Sequence, residues 1–155
     1  MKKTTQVATR FREIFLEGKW VVNTNLKAQI SDLNWKQATT KIGNLNSIAA
    51  LTFHLGYYLA GVLQVLEGGS LDIRDKYSFD MPPIKSQKDW EHLINKILAD
   101  AEKFATLLDE MTDEQLAAPF VDEKYGNYRR NMDILIEHSY YHLGQIVLIK
   151  KMVLG

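Results

Sequence analysis

The sequence predicts an all-α protein folded as a four-helix bundle, with residues 1–155 forming a single domain. Four stretches carry apolar residues at the 3.6-residue spacing of an amphipathic helix, and no stretch alternates convincingly as a half-buried strand does. No internal repeat or low-complexity tract interrupts them. Because apolar stripes on helices must be buried against other helices, four such stretches in one chain favour a bundle.

The boundaries of the predicted helices come from the apolar spacing and from residues that start or stop helices. Val7, Phe11 and Ile14 define the first helix, and Gly68-Gly69 stops the second. A capping sequence at Ser86 opens the third. The predicted helices cover about residues 4–17, 47–66, 86–110 and 128–152, with a capped single turn at 112–116 and a loop at 119–128.

Residues 3–33 are interpreted as one interrupted helical arm, followed by a short turn at 34–38. The apolar stretch Trp20-Val21-Val22 supports helix in the second part of this arm. Asn23 or Asn25 is expected to cap that part, because asparagine is among the preferred residues at the start of a helix.

Residues 70–85 form the least regular segment, since Pro82-Pro83 does not fit within a helix. Tyr77, Phe79 and Met81 alternate along it, which allows a short extended piece that covers a pocket. A loop of this length is either functional or a crossover between helices. The sequence leaves both interpretations open.

Composition and charge exclude several classes of protein. Hydrophobic residues make up 46% of the chain and charged residues 25%, as in ordinary globular proteins and unlike disordered ones. The 19 basic and 19 acidic side chains cancel, which argues against a nucleic-acid binder or a binder of anionic membranes. With no cysteine, the chain has no disulfide, no thiolate zinc site and no cysteine nucleophile.

A cytoplasmic location without a membrane partner is expected. Met1-Lys2-Lys3 is followed by polar and charged residues, where a signal peptide would have an apolar core. The longest apolar runs are interrupted by His, Tyr, Gln or Lys before they reach the ~20 residues that a membrane span needs. The lack of cysteine fits a reducing compartment.

The residues that point to chemistry are His138 and His142, four positions apart in the fourth predicted helix. At about 100° per residue the two imidazoles lie about 40° apart and face into the apolar stripe of that helix. His54 lies in the interior of the second helix, also among apolar and aromatic neighbours. His92, beside Glu91, is expected to be a solvated surface residue.

Two neighbouring buried imidazoles are unfavourable unless their ring nitrogens find partners. A divalent metal ion solves this by taking one lone pair from each ring, at about 2.0–2.1 Å for zinc. Packing of the pair as core residues is the alternative, and His54 as a third ligand favours metal binding over it. The same helical angles make Tyr58, Tyr141 and Gln145 candidates to support the site.

Three neutral histidines would leave a metal ion its full charge and an open coordination position, which is typical of catalytic sites. Other site chemistries lack their residues. The sequence contains no His-Glu-x-x-His, no Glu-x-x-His pair of the di-iron bundles and no Gly-rich phosphate loop.

Three segments, taken in order, also resemble a known family: Gly18-Lys19-Trp20, then Asn46-Ser47-Ile48-Ala49 before His54, then His138-Ser139-Tyr140-Tyr141-His142-Leu143-Gly144-Gln145-Ile146. Together they resemble the DinB/YfiT-like superfamily of four-helix-bundle metalloenzymes, over nearly the whole chain. The resemblance implies an up-down-down-up bundle with a longer crossover. It also implies a zinc or nickel site on His54, His138 and His142, and frequent homodimers.

Relatives in that superfamily include metal-dependent thiol S-transferases, a thiol-dependent isomerase and hydrolases. The leading hypothesis for this chain is therefore a transferase in which the metal activates a low-molecular-weight thiol for attack on a small electrophile. A coordinating thiol is deprotonated by the metal charge, so no protein base is required. Hydrolysis by metal-bound hydroxide is the first alternative, and a metal-binding or structural bundle without turnover is the second.

Overall fold

The computed structural model describes all 155 residues, and they form seven α-helices and no strand. The predicted all-α class is confirmed. Two 3₁₀ turns, at Asp75–Tyr77 and Glu123–Tyr125, lie in the connections. The helices are α1 Lys3–Phe15, α2 Leu26–Ile30, α3 Trp35–Thr39, α4 Ile48–Leu66, α5 Gln87–Glu110, α6 Asp113–Ala117 and α7 Tyr128–Leu154.

The four long helices enclose one continuous apolar core. Helix α1 packs against α5 and α7, and α4 packs against the same two helices. Among the largest fully buried side chains are Phe11, Phe104 and Trp90. The indole nitrogen of Trp90 donates a hydrogen bond to the carbonyl of Leu33 at 2.9 Å, so its one polar atom is satisfied inside the core.

Side-chain caps explain why the predicted starts of three of the long helices are close to the observed ones. Ser47, Ser86 and Asn127 each accept a hydrogen bond from a backbone N–H in the first turn of α4, α5 and α7, respectively. In a capping box the Asp89 side chain would accept a hydrogen bond from the backbone N–H of Ser86. Here the Asp89 carboxylate instead accepts from the backbone N–H of Lys85, at 2.9 Å.

The helical prediction for Trp20-Val21-Val22 is wrong. These residues form a turn in which the three side chains are 90%, 57% and 49% exposed, respectively. The reason lies in Asn25, whose side chain caps α2 and also donates to the Gly18 carbonyl at 2.9 Å. That bond closes a loop between α1 and α2, so the chain reverses where the apolar residues predict helix. The predicted turn at 34–38 is instead the short helix α3, which opens with a capping box at Asn34.

The segment 70–79, called the strap below, runs back along α4 after the helix has ended. Its residues contact α4 in reverse order: Gln64 donates to the Ser70 carbonyl, Tyr57 donates to the Arg74 carbonyl, and His54 lies at the Ser78 carbonyl. The extended piece considered for 77–81 is a 3₁₀ turn followed by further turns. The strap therefore returns the chain from the end of α4 to the level of His54 before α5 starts.

A glycine in α4 makes room for the strap. A Cβ atom added at Gly61 would collide with the side chain of Ile73, so only glycine permits this close approach. Helix α4 is also long and apolar enough to cross a membrane by length and composition alone. However, 56% of its apolar 18-residue stretch is buried inside the protein, as in a core helix.

Candidate metal site

The structure brings His54, His138 and His142 together between α4 and α7. Nε2 of His138 lies 3.2 Å from Nε2 of His54 and 3.0 Å from Nε2 of His142. The three potential ligand atoms all lie within 4.8 Å of one another, and no other His, Cys, Asp or Glu belongs to the group. His54 and His142 are 6% and 8% exposed, respectively, and His138 is half-buried. Three side chains from two helices thus point one nitrogen each at a common position.

Hydrogen bonds on the far side of two rings fix which nitrogen is free. Nδ1 of His142 lies 2.7 Å from Oε1 of Gln145, and Nδ1 of His54 lies 3.3 Å from the Ser78 carbonyl oxygen. Since both oxygens only accept, each Nδ1 carries the proton and each Nε2 keeps its lone pair. Metal-binding histidines in proteins are oriented by this kind of outer hydrogen bond.

The inner side of the cluster cannot be satisfied by protein atoms alone. His54 and His142 both direct an Nε2 lone pair at Nε2 of His138, which carries at most one hydrogen. A single N–H cannot make two good hydrogen bonds in these directions, and an unpaired nitrogen in a buried site is costly. A cation at the common position satisfies all three lone pairs. The two distances to Nε2 of His138, 3.2 and 3.0 Å, are close to the ~3.3 Å that would separate two nitrogen ligands of one zinc ion, so the donor set fits a divalent metal.

The surroundings keep His54 and His138 in the neutral form that binds metal. Burial, together with the neighbouring His142 and His54, lowers the pKa of His138 to about 4. Burial and His142 also lower the pKa of His54 below its ordinary value. At neutral pH both rings are therefore uncharged and their lone pairs are available.

Aromatic rings enclose the cluster. Phe79 of the strap stacks on His54, with ring centroids 4.1 Å apart and planes 10° apart. Tyr58 packs edge-on against His54 and His138, at 5.1 and 5.2 Å between centroids. Its hydroxyl donates to Asp75 at 2.8 Å. Burial and this bond raise the pKa of Tyr58, so the phenol keeps its proton.

The structure places the other predicted supporting residues at different depths. Gln145 orients His142 directly, as described above. Tyr141 contacts the His142 ring at 4.9 Å between centroids but is 66% exposed, so it lies at the outer rim. His92 is exposed on α5 and does not belong to the cluster.

Sequence reasoning missed two residues of the site. Ser78 contacts His54 through its backbone carbonyl, and a contact of this kind cannot be predicted from the pattern of side chains. Asp75, the partner of Tyr58, lies among several charged residues of the strap with nothing in its spacing to distinguish it. The sequence did indicate a role for Phe79, because its alternation with Tyr77 and Met81 suggested a piece of chain that covers a pocket.

Comparison with known proteins supports the family and gives no closer relative. Neither the curated proteins nor the solved structures provide a match to this chain. A family model described as the DinB superfamily matches residues 25–146. The match begins after α1 and includes the three clustered histidines and Gln145. Since it covers well over half of the chain, the protein belongs to the DinB superfamily.

Proposed function

We propose that this protein is a divalent-metal-dependent enzyme that uses His54, His138 and His142 as metal ligands. The observation that carries the proposal is the convergence of three Nε2 atoms, two of them in rings whose Nδ1 is already committed to an oxygen. Chains that merely bury histidines have no need to direct three ring nitrogens at one point.

We also propose that the four long helices form the up-down-down-up bundle with its longer crossover. The strap supports this, because it returns the chain along α4 so that α5 begins beside the start of α4. Glu67 at the end of α4 pairs with Lys103 of α5, and Gly56 faces Ile97, as expected for parallel neighbours. His54 faces His138, whereas Val62 shares a cavity with Ile134, as expected when α4 and α7 are antiparallel.

Three ligands and a partly open edge favour catalysis over a structural role. Structural zinc sites are closed by four protein ligands, whereas catalytic sites keep a position for water or substrate. Here the group contains only three candidate ligands, and half-buried His138 also lines a cavity. When bound, a divalent cation would supply the charge that holds a thiol as thiolate or acidifies a water molecule.

Of the possible reactions, transfer of a small thiol to an electrophile makes the fewest demands on this site. Such a transfer needs no protein base, and the polar side chains next to the cluster are engaged with each other, because Tyr58 keeps its proton and donates it to Asp75 in a hydrogen bond. In such a transfer the thiolate sulfur forms a bond to an electrophilic carbon, and the leaving group departs with the electron pair of the broken bond. The lowered pKa values of His54 and His138 keep these two rings neutral, and the rings of Phe79 and Tyr58 shield one side of the cluster from water.

Elemental analysis of the purified protein tests the metal site. We expect about one zinc or nickel ion per chain in the wild type, and loss of nearly all of it in His54→Ala and His142→Ala, since each removes a third of the ligands. His92→Ala is the matched control, because it removes an exposed histidine outside the cluster. A wild type that takes up neither metal, or cluster variants that retain it, would contradict the proposal.

Turnover distinguishes the three classes of function once metal is present. Metal-loaded protein is assayed with glutathione and 1-chloro-2,4-dinitrobenzene, and separately with 4-nitrophenyl acetate. Metal-dependent arylation of the thiol supports the transferase. Ester hydrolysis alone favours the hydrolase, and inertness across a wider panel of thiols, electrophiles and esters favours a bundle without turnover.

A further inference from the structure

A cavity of about 260 Å³ opens beside the histidine cluster, between α4, α7, the strap and the loop before α7. His138 forms part of its wall, so the cavity adjoins one of the three proposed metal ligands. Apolar side chains from four separate segments make up most of the rest. They are Val62, Leu71, Ile73, Phe120, Ile134 and Leu135.

Besides His138, the wall contains two polar residues, and the hydrogen-bond donors of both are already committed. The Tyr58 hydroxyl donates to Asp75, and the Asn131 amide nitrogen donates to the carbonyls of Tyr125 and Asn127 at 2.8 and 2.9 Å, respectively. No Lys, Arg, Asp or Glu lines the cavity. A charged ligand group would therefore lose its water here and gain no ion pair from these side chains in return.

We propose that this cavity binds an uncharged, apolar group of the substrate and presents the adjoining reactive atom to the site at His138. This deepens the proposed function and rests on it, since the cavity serves catalysis only if His138 is a metal ligand. At about 30 Å³ for each small group, the volume holds roughly eight to ten non-hydrogen atoms. A phenyl ring or a short branched alkyl group fits, and a nucleotide or a peptide does not.

The apolar wall also indicates which of the two substrates of a thiol transfer enters the cavity. Common low-molecular-weight thiols carry carboxylate or ammonium groups, which this wall does not accommodate. The apolar group that enters is therefore that of the electrophile, and the charged part of the thiol remains on the solvent side of His138. The chain thus selects small aromatic or aliphatic electrophiles over charged ones.

Binding can be measured without metal, so that its outcome is independent of the metal assignment. Metal-free protein with labelled isoleucine methyl groups is titrated with benzyl alcohol and, separately, with benzoate, and followed by NMR. We expect saturable shifts of the Ile73 and Ile134 methyl signals with benzyl alcohol, little change at core Ile14, and at least about tenfold weaker binding of benzoate. Equal binding of the two probes, or shifts confined to other isoleucines, would overturn the proposal.

Two glutamate variants locate the binding site. Ile134→Glu places a charge at the cavity rim on a residue that is 44% exposed, so the fold should tolerate it. Leu148→Glu makes the same change on the same helix at a 59% exposed position outside the cavity wall. We expect the first variant to lose benzyl alcohol binding and the second to keep it. Equal behaviour of the two variants would also contradict the proposal.

The metal function and the apolar cavity can be disproved independently of each other. If the protein takes up no metal but binds benzyl alcohol at Ile73 and Ile134, the proposed metal function is wrong and the apolar cavity remains supported. A protein that holds metal but binds neither probe would keep the metal site and lose the pocket. In metal-loaded protein, turnover of benzyl chloride well above that of 4-(chloromethyl)benzoate, with one common thiol, is the matching expectation.

Discussion

The two sides of the bundle are built differently. Between α1 and α5 the rings of Phe11, Phe15 and Phe104 stack at 4.5–4.6 Å between centroids, and all three are fully buried. Between α4 and α7 the corresponding space holds imidazoles and borders a cavity. The first interface has no polar side chain in its stack and the second depends on polar contacts.

This contrast separates stability from chemistry. A buried aromatic stack contributes favourable apolar burial without needing any partner. The histidine cluster depends on outer bonds, such as those to Gln145 and Ser78, and still turns two Nε2 lone pairs towards the single Nε2 of His138. A bound cation would convert that unfavourable arrangement into a stabilising one, because it binds the folded chain only.

Phe104→Ala should show the largest effect, because it removes a fully buried ring from the α1–α5 side. We expect a loss of about 3–5 kcal/mol in the free energy of unfolding, from lost transfer energy and from the cavity left behind. Chemical denaturation of metal-free protein measures it. Under conditions where the variant is folded, its metal content should equal that of the wild type.

Phe53→Ala is the control for this change, since it removes the same side chain from a half-buried position on α4. Its loss of stability should be clearly smaller. If Phe104→Ala left stability intact, or if it released the metal from folded protein, the two sides of the bundle would not be separable in this way.

The features that could be predicted from the sequence are those fixed by local chemistry. The long helices can be predicted from the 3.6-residue spacing of their apolar residues and, for α4 and α7, from the capping residues Ser47 and Asn127. The pair His138 and His142 is visible because a spacing of four residues places two side chains on one helix face whatever the tertiary structure.

The features that could not be predicted depend on how segments meet. Trp20 has the apolar character of a core residue, yet it is exposed because Asn25 bonds to Gly18 and reverses the chain. The contact between Ser78 and His54 depends on the path of the strap, and that path depends on the space left by Gly61. Neither can be deduced from spacing along one element.

Gln145→Ala should produce an intermediate effect confined to the α4–α7 side. The variant loses the acceptor that holds His142 with its Nε2 lone pair turned inward. We expect metal affinity to fall by about 10–100-fold, as is usual when an outer hydrogen bond to a ligand is lost, with little change in metal-free stability. Competition with a chromophoric chelator measures the affinity.

Gln145→Glu provides the conservative comparison, because it keeps an oxygen acceptor at the same distance from Nδ1. It should retain most of the affinity that the alanine variant loses. An alanine variant with wild-type affinity would show that His142 is oriented by packing alone.

The smallest effect, a pH dependence, should also distinguish the two sides. In the folded protein the pKa of His138 is about 4 and that of His54 is lowered, whereas an unfolded histidine has a pKa of about 6.5. Between those values the unfolded chain binds more protons than the folded one, so the free energy of unfolding of metal-free protein should fall as pH decreases from about 6.5 towards 4. Carboxylates with lowered pKa, such as Asp89, lose their contribution only below about pH 4 and lie outside this window.

Urea denaturation of chelator-treated protein at several pH values between 7.5 and 4.5 measures this slope. His138→Gln removes one of the responsible groups and should flatten the curve, whereas Phe104→Ala should lower the curve without changing its shape. A curve that is flat from pH 7 to 5 in the wild type would mean that the cluster takes up protons without cost. His54 and His138 would then not be held neutral by their surroundings, and the contrast between the apolar α1–α5 side and the polar α4–α7 side would lose its physical basis.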